Sequence, residues 1–361
     1  MNIIAISCIC RRRGAAARPT RFATLALALV ALVVTARAEF AYVVNQLSNN
    51  VSAYRIGENG ALTPVPGSPF PTGTLPLSVA VDPLGKFVYV ANGGSSNNIS
   101  AYRIGENGAL TPVPGSPFFP RGQSVAVEFL GRFAYVTNNG IWAFRIGENG
   151  ALTPLAGSAF PAGTDPFSIT MDLLGRFVYV VNLVSDDISA YRITESGALT
   201  PVAGSPFPAG GLPQSVAVDL LGRFVYVGNL ADNNISAYRI GGNGALTPVA
   251  GSPFAAGNEP ASLAVDLVDR FVYVANELSN NISAYRIDKN GALTPVAGSP
   301  FPAGNAPFSV AVDLLSRFVY VANALSDNLS AYRIGKNGAL TPVAGSPFPA
   351  GRVPFSMAIS P

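Results

Sequence analysis

The chain has 361 residues, of which only 12% are charged, and its formal net charge is +3. Its 37 glycines and 30 prolines recur at regular places, which indicates turns in an ordered domain rather than a disordered chain. The sequence contains no histidine, which excludes a Ser-His-Asp triad and histidine metal sites.

Residues 1–38 differ from the rest of the chain. Five arginines lie within residues 11–21, an apolar run extends from Phe22 to Val34, and the segment ends in Ala36-Arg37-Ala38. A basic region, a short apolar run and a small-x-small end are the parts of a secretory signal peptide. We therefore expect cleavage after Ala38, export of the mature chain to the periplasm, cell surface or medium, and no membrane span in that mature chain.

The leader also carries much of the positive charge. It contains six arginines, no acidic residue and both cysteines, so cleavage leaves 17 basic and 20 acidic residues, a net charge of −3 and no thiol. Phosphate binding needs clustered lysines and arginines, so we expect no nucleic-acid partner. The alternative to a signal peptide is that this segment contains a diverged first strand of the repeat. When Phe40 is aligned with Phe87, Ala31–Thr35 aligns with Ser78–Asp82.

One unit recurs along the remainder of the chain. Each copy contains an arginine within Tyr-Arg-Ile or Phe-Arg-Ile, and these arginines are separated by 48, 42, 47, 47, 47 and 47 residues. The seven marker residues are Arg55, Arg103, Arg145, Arg192, Arg239, Arg286 and Arg333. A regular period of this length predicts a repeat architecture.

Each copy contains four strand candidates rich in β-branched and aromatic residues. In one copy they are Ser215–Asp219, Phe224–Val227, Ile235–Ile240 and Ala245–Val249. The second candidate is apolar on both faces, which suits a sheet covered on both sides. The fourth contains Pro248, which favours an outer edge, and Asn243-Gly244 predicts a hairpin between the third and fourth strands.

Four antiparallel strands in each of seven copies predict an all-β, seven-bladed β-propeller over residues 39–361. The first copy begins on a second strand at Phe40, and the chain ends with a first strand at Ser356–Ile359. We expect these two pieces to complete one blade with the C-terminal strand innermost. That pairing closes the ring and covers two sheet edges.

The second strands carry a family resemblance. Tyr89–Asn92 and Tyr135–Asn138 read Tyr-Val-Ala-Asn and Tyr-Val-Thr-Asn and resemble the YVTN repeat. The whole unit, over about residues 39–361, is similar to the seven-bladed lactonase-type propellers related to bacterial 6-phosphogluconolactonase. The resemblance implies lactone chemistry by a histidine, an arginine and a glutamate at the mouth of the central channel, and this sequence lacks the histidine.

A site for a small ligand must break the sevenfold likeness, so departures from the repeat are the candidates. In a propeller, the loops that enter the inner strands share one face with the loops between the second and third strands. Two loops of that face are short in one copy. Phe118 to Ser124 is six steps, against eight from Phe160 to Ser168, and Asn138 to Ala143 is five, against eight from Asn182 to Ala190.

Four residues near these loops are the predicted site. Trp142 is the only tryptophan and stands where other copies have serine, while Arg121 lies in a shortened loop. Asp165 and Glu259 hold equivalent positions at the entrances of later copies. We expect Trp142, Arg121 and Asp165 to bind a small polar ligand such as a sugar or lactone, with Arg121, Asp165 and Glu259 as the catalytic candidates. The alternative is drift in one copy, with Trp142 packed between blades.

Residues that recur from copy to copy are better explained by folding. This group includes the marker arginines, the asparagines after the second strands, and an aspartate four residues before a lysine or arginine, namely Asp82, Asp172, Asp219, Asp266 and Asp313. The acidic loops between the second and third strands lack the spacing of a calcium loop, so we predict no metal and no cofactor.

These observations favour an exported, monomeric propeller that binds a small polar ligand or a protein on its loop face. One alternative is a lactone hydrolase in which Arg121, Asp165 and Glu259 polarise the lactone carbonyl and activate water. A second alternative is a cell-surface structural or adhesive module.

Overall fold

The computed structural model describes residues 39–120, 122–268 and 270–360, and the predicted signal peptide therefore lies outside the described residues. The described chain forms seven antiparallel sheets and no helix. We call these sheets blades 1 to 7, in the order in which their second strands occur along the chain. Blade 1 combines residues 40–71 with 354–360, and blades 2 to 7 cover residues 76–118, 125–160, 166–208, 213–255, 260–302 and 307–349.

Seven inner strands lie around the axis, and neighbouring inner strands contact one another. In blades 1 to 7 they are Pro354–Ser360, Pro76–Val81, Val125–Val127, Pro166–Met171, Pro213–Val218, Pro260–Val265 and Pro307–Val312. The second strands are Phe40–Asn45, Phe87–Asn92, Phe133–Thr137, Phe177–Asn182, Phe224–Asn229, Phe271–Asn276 and Phe318–Asn323.

The third strands lie outside the second ones. They are Asn50–Ile56, Asn98–Ile104, Ile141–Ile146, Asp187–Ile193, Asn234–Ile240, Asn281–Ile287 and Asn328–Ile334. The fourth strands are Leu62–Pro64, Leu110–Pro112, Leu152–Pro154, Leu199–Pro201, Leu246–Pro248, Leu293–Pro295 and Leu340–Pro342, each paired with the third. Each ends in proline at the outer edge, where a missing N–H costs no ladder bond.

A short fifth strand supplements the four predicted strands in five blades. It pairs with the same edge of the third strand as the fourth strand does, further towards the start of the third strand. In blades 1, 4, 5, 6 and 7 it is Phe70–Pro71, Phe207–Pro208, Phe254–Ala255, Phe301–Pro302 and Phe348–Pro349. The recurring serine before it bridges the two pairings. In blade 1, for example, Ser68 Oγ accepts a hydrogen bond from Ala53 N at 2.9 Å. This satisfies a third-strand N–H that neither outer strand reaches.

The core consists of apolar clusters between neighbouring blades, because the second strands are buried on both faces. Each second strand contributes a fully buried tyrosine whose hydroxyl donates to a glycine carbonyl in the next blade. Tyr179 Oη, for example, donates to Gly244 O at 3.0 Å. The same contact joins the last blade to the first, where Tyr320 Oη donates to Gly60 O at 2.9 Å.

The ring closes as predicted. Pro354–Ser360 pairs antiparallel with Phe40–Asn45, and the partners run from Phe40 with Ser360 to Val44 with Ser356. Phe40 N also donates to Ser360 Oγ at 3.1 Å. Because this strand completes blade 1, the second strand of that blade is paired on both edges, as in the other six blades. Among the described residues, none belongs to a helix that could cross a membrane.

Candidate functional site

Two sets of loops form one face of the propeller, which we call the mouth face. The loops that enter the inner strands hydrogen-bond to the hairpins between second and third strands. Leu183 N donates to Asp165 O at 2.8 Å, and Glu277 N donates to Glu259 O at 2.7 Å. The shared face therefore agrees with the expectation from propeller topology.

A cavity of about 130 Å³ opens on the mouth face at the axis. Two consecutive residues from every inner strand line it, and the second of each pair is always serine. These serines tie the inner strands together, since Ser215 Oγ accepts from Leu263 N at 3.0 Å and Ser309 Oγ from Met357 N at 3.2 Å. The serine ring is therefore part of the fold.

The residue before each serine differs between blades and gives the cavity its chemistry. From blade 1 to blade 7 the residues are Phe355, Leu77, Gln123, Phe167, Gln214, Ala261 and Phe308. The cavity is thus apolar on one side and amide-bearing on the other. The chain contains three glutamines in all, and two of them are at this position.

The two glutamines have different surroundings. Gln123 Nε2 donates to Asp165 Oδ1 at 2.7 Å, which orients the Gln123 amide and connects the predicted site residue Asp165 to the cavity wall. Gln214 is only 8% exposed, and its side-chain amide has no hydrogen-bond partner among the residues that the structure describes. A buried amide without a partner costs free energy unless water or a ligand satisfies it.

The apolar side is built from aromatic rings. Phe308 and Phe355 stack with centroids 4.0 Å apart and an interplanar angle of 28°. Both are half-buried in the cavity wall and leave ring surface accessible from the mouth. Next to Phe308, blade 6 contributes only Ala261, which leaves room between the aromatic wall and Gln214.

Two of the described entry loops carry a carboxylate, and neither carboxylate lines the cavity. Asp165 and Glu259 occupy equivalent positions in blades 4 and 6, with φ angles of 57° and 54°. Both side chains are half-buried. Burial raises the pKa of Glu277, and the negative charge of Glu259 raises it further. A carboxyl group of raised pKa on the mouth face is suited to accept or donate a proton, although Glu277 does not line the cavity.

A lactonase family model, described as a seven-bladed β-propeller, matches residues 16–129 and 211–310 of the chain. The chain belongs to this lactonase family. Its sequence has no match among curated proteins.

Solved structures similar to this lactonase-family chain share its fold. A candidate 6-phosphogluconolactonase from Bacteroides fragilis has a TM-score of 0.77 at 19% identity, covering 91% of this chain and 99% of its own. One from Bacteroides uniformis has a TM-score of 0.78 at 17% identity, covering 90% and 100%. A periplasmic gluconolactonase from Pseudomonas aeruginosa has a TM-score of 0.75 at 17% identity, covering 90% and 99%.

Within this lactonase-family propeller, the predicted site residues do not all meet. Asp165 touches the cavity through Gln123, and Glu259 lies on the entry loop next to Ala261. Trp142 does not line the cavity; it lies in the third strand of blade 3 and packs, half-buried, against the cluster between blades 2 and 3. Arg121 lies outside the described residues.

The surroundings of Trp142 explain its position. In the other six blades, the asparagine that ends the second strand donates to a third-strand serine, as Asn182 Nδ2 does to Ser189 Oγ at 2.9 Å. Trp142 replaces that serine in blade 3, so the bond is lost and Asn138 is no longer fully buried. The indole fills apolar space between blades in its place.

The recurring acidic residues have the structural role predicted for them. Asp172 Oδ1 accepts the backbone N–H groups of Arg176 and Phe177 at 2.6 and 2.7 Å, and its Oδ2 accepts Arg176 Nε at 2.7 Å. These turns lie on the face opposite the mouth. Within residues 39–120, 122–268 and 270–360, no group of three or more acidic, cysteine or histidine side chains is placed to hold a metal ion.

Proposed function

We propose that this lactonase-family protein is an exported binding protein that holds one small, hydroxyl-bearing molecule at the mouth of its central channel. The observation that carries the proposal is Gln214, which is only 8% exposed and lines the cavity, and whose amide has no hydrogen-bond partner among the described residues and is reached only from the cavity. A ligand hydroxyl or carbonyl would satisfy it. The Phe308–Phe355 pair supplies the apolar surface on which a sugar ring stacks.

The dimensions of the cavity support a single small ligand. Its volume of about 130 Å³ is roughly that of four water molecules, and it is open towards the mouth face. A monosaccharide or sugar lactone would place one edge among Gln123, Gln214 and the serine ring, and the rest between the entry loops. Displaced water and newly paired amides would both favour binding.

Two observations support export. The first 38 residues have the composition of a signal peptide. One structurally similar protein is a periplasmic gluconolactonase. The prediction is that the secreted or periplasmic protein begins at Glu39, which N-terminal sequencing or intact mass determination would check.

Binding is tested by calorimetric titration of residues 39–361 with D-glucose and with glucono-δ-lactone. We expect saturable binding of at least one probe. Gln214→Leu should lower the affinity about tenfold, since the ligand then faces an apolar group instead of an amide. Gln46→Leu is the matched control, because Gln46 lies on a mouth-face hairpin and does not line the cavity. Equal effects of the two substitutions, or no binding of either probe, would overturn the proposal.

Lactone hydrolysis is the second candidate function, favoured by the raised pKa of Glu277 beside Glu259. In that reaction a carboxylate would accept a proton from water as it attacks the lactone carbonyl, and Arg121 would stabilise the developing oxyanion. Turnover of a lactone panel that Glu259→Ala and Arg121→Ala both abolish would establish the hydrolase. Turnover that persists in both variants would exclude this mechanism.

A further inference from the structure

The charges of the propeller are unevenly divided between its two faces. The mouth face carries the carboxylates of Asp165, Asp186, Asp187, Asp232, Glu259, Glu277 and Asp327. Among the described residues, Arg352 is the only lysine or arginine on that face, and it is exposed. The other described lysines and arginines lie in the turns, hairpins and strand ends at the opposite side.

Aspartates in the turns that follow the inner strands, on the opposite face, are paired with arginines, whereas no ion pair to a mouth-face carboxylate occurs among the described residues. Asp172, Asp219 and Asp313 each form an ion pair with the arginine four residues later. Asp165 hydrogen-bonds to the neutral amide of Gln123, and Glu277 lies beside the like charge of Glu259. The negative potential at the mouth is therefore a property of the described structure.

The cavity beneath this potential is suited to a ligand that bears positive charge. The stacked rings of Phe308 and Phe355 attract cations through their faces. Gln214, which is buried and without a partner among the described residues, independently indicates that a polar ligand enters the cavity. An anion would approach past the carboxylates of the mouth-face loops, which lie around the cavity without lining it.

We propose that the mouth selects ligands by charge, preferring an ammonium-bearing sugar to a neutral sugar and rejecting a phosphorylated or carboxylated one. The inference rests on the proposed function, since it names the class of ligand for the same site. It sets this chain apart from the solved relatives described as 6-phosphogluconolactonases, whose substrate by that description carries a phosphate.

The test uses three probes that share one ring: D-glucosamine, D-glucose and D-glucose 6-phosphate, each titrated into residues 39–361 at low and at physiological salt. We expect affinity to fall in that order, by about ten- to a hundredfold from the first probe to the last. The difference should shrink as salt rises, because screening weakens charge interactions at exposed sites.

Two variants locate the selection. The double substitution Glu259→Gln and Glu277→Gln should reduce the ratio of glucosamine affinity to glucose affinity at least fivefold. Glu58→Gln is the control, because Glu58 is an exposed carboxylate of the opposite face.

The outcomes separate the two proposals. If glucose 6-phosphate binds as tightly as glucose, or the double variant keeps the wild-type order, charge selection is wrong and the binding site stands. If none of the three probes binds, the proposed function fails and this inference fails with it.

Discussion

Replacing Gln214 with leucine should stabilise the protein while it weakens ligand binding. The side chain is 8% exposed, and its amide has no partner among the described residues. Leucine already occupies the equivalent position of blade 2, at Leu77, so the repeat accommodates it. Leucine replaces a nearly buried amide that only cavity water can satisfy, which should recover about 1–2 kcal/mol of unfolding free energy, at the lower end of the usual cost because that water hydrates the group.

The matched substitution is Gln123→Leu in blade 3, which should have the opposite sign. Gln123 donates to Asp165 at 2.7 Å, so leucine removes a charge-assisted bond and leaves the carboxylate without it. The expected loss is about 1–2 kcal/mol. At about 2.1 cal/mol/K of unfolding entropy per residue, each kcal/mol shifts the Tm of the mature chain by about 1.5 °C.

Differential scanning calorimetry of residues 39–361 and the two variants measures both shifts without ligand. The predicted result is a Tm increase of about 1.5–3 °C for Gln214→Leu and a similar decrease for Gln123→Leu. If both variants lose stability equally, the Gln214 amide is satisfied in the native state, and it can no longer serve as the mark of a ligand site.

Three further predictions concern ring closure and pH. Tyr320→Phe and Tyr179→Phe should each lower the free energy of unfolding, measured in urea, by about 1 kcal/mol. The two effects should be equal because a closed ring makes the two interblade hydrogen bonds equivalent. An effect confined to Tyr179→Phe would contradict closure. Deleting residues 352–361 should lower the Tm far more, by removing the inner strand of blade 1; a truncated chain that melts like the full one would refute that strand's role. Glu277→Gln should stabilise the protein at pH 8 by a few tenths of a kcal/mol and have no effect at pH about 3. A gain of the same size at both pH values would show that ionisation of Glu277 is not the cause.

The sign of that pH effect follows from the direction of the pKa shift. Burial and the charge of Glu259 raise the pKa of Glu277 in the folded protein, so its ionised form costs stability. The cost is absent below the pKa of the unfolded chain, increases as pH rises through the interval between the unfolded and folded pKa values, and is fully present above that interval. A neutral glutamine removes the cost only where Glu277 would be ionised.

The fold could be predicted from the sequence because its determinants repeat. The seven marker arginines establish the number of blades, and the isolated first strand at Ser356–Ile359 predicts the closure. The short fifth strand was missed, because a two-residue Phe-Pro segment has no periodicity of its own. It depends on the serine before it, as the bond from Ala53 N to Ser68 Oγ shows.

The candidate site was predicted only in part. Comparison of the copies identifies the two shortened loops and Asp165 as departures from the repeat. Asp165 accepts a hydrogen bond from Gln123, which lines the cavity. Sequence comparison missed the position before each inner-strand serine, although Gln123 and Gln214 were visible there as departures from the apolar pattern. Trp142 packs against the cluster between blades 2 and 3 and does not line the cavity, and its role in ligand binding stays a prediction. The sequence could not place it, because a missing serine in a strand looks the same whether the replacement faces a ligand or an adjacent blade.

We propose that the function of this propeller resides at the channel mouth, where its repeat fails. A crystal structure of residues 39–361 grown with D-glucosamine would test this directly. We expect the sugar in the axial cavity, with a hydroxyl on the Gln214 amide, its ring against Phe308 and Phe355, and its ammonium group towards the mouth-face carboxylates. A sugar bound elsewhere, beside Trp142 for example, or an axial cavity that holds only water, would contradict it.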